Sequence, residues 1–290
     1  VWETSFPEEK ELYLIYRKYF QPAIEILEQE LMYNIKYVGP LRAEPQRRYQ
    51  EREIEKDVGS RGENTVLLLR KHWRKKVAFV ELPEDESRVV SWETLKTADM
   101  ELGAAINEAL RWMGMQKLEV KENSGVIRAD FVALSHEDKW VTIADVGFGV
   151  SQILPVLTTA LLSDTDSLLI FEQPEIHLHP RAQARLAELM VCLARTGRRM
   201  IIETHSDHLI NRLRRISAED MTNELADQVG IVFVQQNKDR DGAYIESLKL
   251  NEEGLIENWP PGFLAETAED SRAIIKAGIS KRRGERSNTI

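Results

Sequence analysis

A single cysteine, Cys192, is present in 290 residues. No disulfide can form within the chain, which fits a reducing compartment and sets the expected localisation as cytoplasmic. Cys192 falls on the apolar side of a predicted helix, where a thiol is buried and inert. Long hydrophobic runs are also missing. Nothing approaches the ~20 apolar residues a membrane span needs, and the first residues carry no signal-peptide pattern, so no membrane partner is expected. Positive charge is in deficit: 39 Lys and Arg stand against 48 Asp and Glu, for a net charge of -9. That balance argues against a dedicated polyanion binder and leaves only local basic patches. None of the fifteen glycines is followed by lysine, so the phosphate-cradling loop G-x-x-x-x-G-K-[ST] does not occur. The length suffices for one large domain or two small ones.

What is present concentrates between Ser167 and His208. An apolar run, Ser167 to Phe171, ends on Glu172-Gln173-Pro174-Glu175-Ile176-His177-Leu178-His179-Pro180. A second run, Met200 to Ile202, ends on Glu203-Thr204-His205-Ser206-Asp207-His208, and a helical pattern from Pro180 to about Arg195 lies between them. The spacing predicts a strand-helix-strand unit with neighbouring buried parallel strands. Carboxylates and imidazoles then meet at the carboxyl end of the sheet, where open α/β sheets bind ligands. Upstream, Asp145-Val146-Gly147-Phe148-Gly149-Val150-Ser151-Gln152 is a glycine turn leading into an apolar helix. Its backbone N–H groups, with Ser151, would suit an anion.

These three motifs, in this order, resemble those of ABC-type AAA family ATPases, in the branch that includes the overcoming-lysogenization-defect and chromosome-maintenance families. Glu172 to Pro180 is similar to the Walker B and D-loop segment, Thr204-His205 to the switch histidine, and Asp145 to Gln152 to the signature motif. The resemblance implies ATP and Mg²⁺ as cofactors. Glu172 would be the metal ligand, Gln173 would stand where the catalytic glutamate is usual, and His205 would sense the γ-phosphate. Glutamine can orient water without accepting its proton. Glu175 is then either a substitute general base or a structural acid near the next helix. Gly147, Gly149, Ser151 and His179 would contact nucleotide held with a partner subunit, implying a homodimer or higher homo-oligomer and a protein effector in DNA repair or phage defence. Lacking the phosphate loop, the chain corresponds to the C-terminal portion of such a core. The Walker A lobe would lie on residues outside this sequence or on another polypeptide, or the site is vestigial.

The expected fold class is α/β: a partial P-loop NTPase (ABC ATPase-like) core with a helical insertion and a C-terminal β-hairpin extension. Residues 1–117 form a helical and insertion region, 118–228 the ATPase half-core, and 229–290 the hairpin and tail. Within the first region, Glu8 to Tyr33 reads as a helix broken or kinked at Pro22, Ile35 to Val38 as a strand running into Gly39-Pro40-Leu41-Arg42, and Thr97 to Met115 as one helix. Gly59 to Glu63 reads as a flexible turn. Arg42, Arg47, Arg48 and Arg52 read as a solvated basic loop, and they, with Arg212 to Arg215, leave nucleic acid open as a partner. Two alternatives to the ATPase stand beside it. One is a catalytically weak nucleotide-binding scaffold or switch. The other is a metal hydrolase with His177, His179, His205 and His208 on Zn²⁺.

Overall fold

The computed structural model describes residues 16–29, 34–50, 57–83, 88–133, 136–236, 242–260 and 274–279. Chain contacts divide it into two units, one from Val1–Val90 and Thr94–Leu209 and the other from Ser91–Glu93 and Ile210–Ile290. The first unit begins with a π-helical turn, Tyr16–Phe20, and helix α1, Gln21–Gln29. Pro22 stands at the second position of α1, directly after the point where the π-helical turn gives way to α-helix. The rest of the expected Glu8 to Tyr33 helix lies outside the described residues.

Strand β1 (Ile35–Val38) is followed by the short β2 (Tyr49–Gln50), helix α2 (Thr65–His72), β3 (Lys76–Val80) and β4 (Thr97–Glu101). Helix α3 runs from Leu102 to Trp112. The expectation of one helix over Thr97 to Met115 is therefore corrected. Thr97–Glu101 pairs antiparallel with all of β3, and that non-local ladder overrides a locally helical spacing. Strands β5 (Leu118–Asn123), β6 (Val126–Ala133) and β7 (His136–Thr142) are antiparallel neighbours, with β2 on the far side of β6.

The part that positions the site follows. Helix α4 (Phe148–Leu162) is buried on all sides from Val150 to Leu161, as expected of a helix with no polar face. Strand β8 (Leu168–Glu172), helix α5 (Pro180–Arg195) and strand β9 (Arg199–Glu203) form the strand-helix-strand unit read from the sequence. The sheet order is β1-β8-β9, all parallel, and Glu172 sits in register with Glu203. Val38, Leu169 and Phe171 share one face and are fully buried, worth about 2 kcal/mol apiece. On the opposite face Tyr37 and Ile201 are about half exposed, so among the described residues this face of the sheet is only partly covered. Cys192 is buried in α5, and burial raises its thiol pKa, as its inert reading requires.

The second unit contains most of helix α6 (Asp207–Glu219), the short α7 (Glu224–Gln228) and the hairpin of β10 (Gly230–Gln236) and β11 (Ala243–Lys249). Ile231, Leu248, Leu250 and Ile256 form its small core. Of the expected hairpin and tail over 229–290, residues 237–241, 261–273 and 280–290 lie outside the described residues.

Candidate functional site

The rim at the carboxyl end of β8 and β9 is built from the backbone outward. Gln173, the first residue past β8, takes a left-handed φ of 43° and donates its N–H to the carbonyl of Glu203 at 2.9 Å. That bond stitches the two strand ends together just beyond their ladder. Glu172 Oε1 accepts the Tyr37 hydroxyl at 3.0 Å. Lost hydration, that hydrogen bond and the negative charges of Glu172 and Glu203 raise the Tyr37 phenol above its ordinary value. The phenol therefore stays protonated and donates.

Glu175 turns inward. It is 7% exposed, and its Oε1 accepts both the Thr204 hydroxyl at 2.7 Å and the His205 backbone N–H at 3.0 Å. This carboxylate ties the turn after β8 to the turn after β9. Thr204 in turn accepts the Ser206 N–H, and the Ser206 hydroxyl accepts the Leu209 N–H at the start of α6. With its backbone held, the His205 side chain projects into solvent, 78% exposed, with Nε2 3.9 Å from Glu203 Oε1. His179 caps α5: its Nδ1 accepts the Arg181 N–H at 3.3 Å, which leaves Nε2 to carry the ring proton.

The glycine turn packs against the same segment. A methyl group on Gly149 would stand 2.7 Å from the His177 carbonyl, so only glycine lets the start of α4 approach this closely. The Phe148 and His177 rings meet edge to face at 5.0 Å. His177 itself has a φ of 63°. Gly147 precedes α4 with open space around its Cα. The Ser151 hydroxyl is buried and donates to the Phe148 carbonyl at 2.7 Å, so its proton is committed within its own helix.

The loop after β1 joins the two turns. Arg42 is 5% exposed, not solvated as its sequence context suggests. Its Nη2 donates to the carbonyls of Glu172 at 3.1 Å and Gln173 at 3.2 Å. Burial lowers its pKa to about 10, against the opposing pull of Glu175, so the guanidinium stays charged at neutral pH. Five residues on, Arg47 makes a two-pronged ion pair with Asp145 at 2.6 and 3.0 Å, on an exposed surface. The turn expected to be flexible, Gly59 to Glu63, is a fixed buttress for this loop. The Ser60 and Arg61 carbonyls accept the Gly39 and Ala43 N–H groups, each at 2.8 Å. Gly62, at φ 73°, lies against the Pro155 ring, with which a Cβ would collide.

Residues 42–211, more than half of the chain, match the model of the family described as AAA domain, putative AbiEii toxin, Type IV TA system. The chain belongs to that family. No curated protein matches it. As an AAA domain it is of a nucleotide-binding and nucleotide-hydrolysing class, and its mixed α/β fold with a parallel sheet agrees with a P-loop NTPase-like core.

The match spans all three turns of this AAA domain, and the structure brings Glu172, Gln173, Glu175 and His205 to the carboxyl ends of β8 and β9, with Gly149 packed against His177 and His179 capping α5. The four histidines of the zinc alternative do not assemble. Among the described residues no group of three or more His, Cys, Asp or Glu side chains is placed to hold a metal ion. A single carboxylate from the protein does suit Mg²⁺, a hard cation that keeps most of its waters. Glu172 fits that role, since among the described residues only Tyr37 bonds its side chain, and at Oε1 alone. Sequence reasoning missed Arg42, Tyr37 and Glu203. The signal for Glu203 was its place at the end of the second apolar run; for Arg42 it was the Gly-Pro-Leu-Arg that follows a strand. No described helix of the AAA domain is long and apolar enough to cross a membrane.

Proposed function

We propose that this chain is the signature, Walker B and switch-histidine portion of an ATPase that closes Mg·ATP between two copies of itself and hydrolyses it slowly. The observation that carries the reading is the rim: Glu172 half-buried and held by Tyr37, the His205 side chain exposed beside Glu203, and Glu175 locking their two turns together. Mg²⁺, when bound, supplies neutralisation of developing phosphate charge. Glu172 is the residue to hold it. The imidazole of His205 is the donor to the terminal phosphate and the reporter of its loss. Gln173 orients water, and Gly147 to Gly149 present backbone N–H groups toward the nucleotide held by a second copy.

Slow turnover follows from the carboxylates. Gln173 cannot accept a proton, and Glu175, the other candidate base, is buried with one oxygen already taken by two donors. The same observation favours a second reading, a nucleotide-dependent switch in which binding rather than hydrolysis drives a protein effector of DNA repair or phage defence. The phosphate cradle that no glycine here provides would come, in the hydrolysing reading, from a Walker A segment on residues outside this sequence or on another polypeptide. Glu172→Gln should abolish Mg²⁺-dependent ATP turnover measured with that segment supplied. Unchanged turnover would reject the assignment. ATP binding without turnover, unaltered by Gln173→Glu, would decide for the switch.

A further inference from the structure

We propose that Arg42 is the positioning residue of the turn after β8, setting the backbone of Glu172 and Gln173 so that their side chains present correctly to Mg·ATP. The proposal rests on the nucleotide reading above. Four observations carry it. First, the left-handed backbone of Gln173 is strained for an L-residue, so something must hold it there. Second, one nitrogen of Arg42 bonds the carbonyls on both sides of that residue, and the Gln173 N–H is pinned to Glu203. The strained residue is thus held from both flanks. Third, Arg42 does not spend its other donors. Nε and Nη1 are buried without partners, and so is Oε2 of Glu175, the one carboxylate whose charge acts on this guanidinium. A residue present only to satisfy carbonyls would be aimed to use those donors as well. Fourth, the aim of Arg42 is preset by its own loop, which is clamped by the Ser60 and Arg61 carbonyls.

Arg42 reaches no nucleotide itself in this arrangement. It acts through Glu172 and Gln173, and through the charge it shares with Glu175, whose carboxylate fixes His205. Truncating Arg42 should therefore weaken the magnesium-dependent part of binding selectively. Partners in the layer behind a metal ligand typically contribute roughly 10- to 100-fold to metal affinity.

The test compares wild type, Arg42→Ala and Arg42→Lys, each with the Walker A segment supplied, by calorimetry of ATP with and without Mg²⁺. Arg42→Ala should lose roughly tenfold or more of the Mg²⁺-dependent affinity while ATP binding without Mg²⁺ is unchanged. Arg42→Lys, which keeps a charged donor, should recover part of that affinity. Should the alanine variant fold poorly, the lysine variant is read on the same split between binding with and without Mg²⁺. Equal loss with and without Mg²⁺ in either variant would overturn the proposal while leaving the nucleotide reading standing. Absence of any Mg²⁺-dependent binding in wild type would instead sink both.

Discussion

Two buried arginines stand at opposite edges of the same parallel sheet. Arg198, just before β9 at the amino edge, is 3% exposed and bonds the carbonyls of Ala78, Leu161 and Ser163 and the Thr196 hydroxyl. It closes the carboxyl end of α4 and the strand beside it, and only its Nε is left without a partner. Arg42, at the carboxyl edge, is as deeply buried but works through a single nitrogen on a strained turn. Burial lowers the pKa of both. The difference lies in how fully each is satisfied. The amino edge is a finished structural joint, and the carboxyl edge keeps polar capacity in hand, as sites do when geometry matters more than stability.

That contrast can be broken by experiment. The largest loss should come from Arg198→Ala, which strips four acceptors of their donor inside the protein and should cost about 3 to 5 kcal/mol, read as a fall in the urea midpoint. If Arg42→Ala costs more stability than Arg198→Ala, the division into joint and site is wrong. Next comes Glu175→Ala. It leaves the Thr204 hydroxyl and the His205 N–H without their acceptor, for about 2 to 3 kcal/mol, and should speed hydrogen exchange at His205.

How much of this was legible beforehand depends on how local the cause is. Helix α5 was bounded correctly because its limits are written in neighbouring residues: His179 and Pro180 at the start, Gly197 at φ 96° just past the end. The rim was legible for the same reason, since two apolar runs each end on their own acid. Thr97 to Glu101 was misread because its partner strand lies some twenty residues upstream and no β-branched run announces it. Arg42 looked like one arginine of a wet loop. Its burial depends on a strand 130 positions later, which no local pattern encodes. The choice left open for Glu175, base or structural acid, likewise waited on donors some thirty residues away.

Smaller effects sharpen the picture of the strained turn. Gln173→Gly relieves the left-handed backbone and should raise stability by up to about 1 kcal/mol in thermal melts, after glycine's larger loss of chain entropy. A destabilised Gln173→Gly protein would mean that the turn is not under strain. Smallest of all, Arg47→Ala removes an ion pair that is 70% and 36% exposed, and should cost less than about 1 kcal/mol, vanishing at high salt. A larger cost would show that the glycine turn depends on this outer tether as much as on its packing against His177.

The most direct measurement is a titration of isotope-labelled protein, with the Walker A segment supplied, against millimolar Mg·ATP, followed by backbone amide shifts. Perturbations should gather at Glu172 to His179, at Thr204 to Ser206 and at Gly147 to Ser151, and should disappear in Glu172→Gln. Shifts confined to other parts of the chain, or a Glu172→Gln protein that responds as wild type does, would contradict the account.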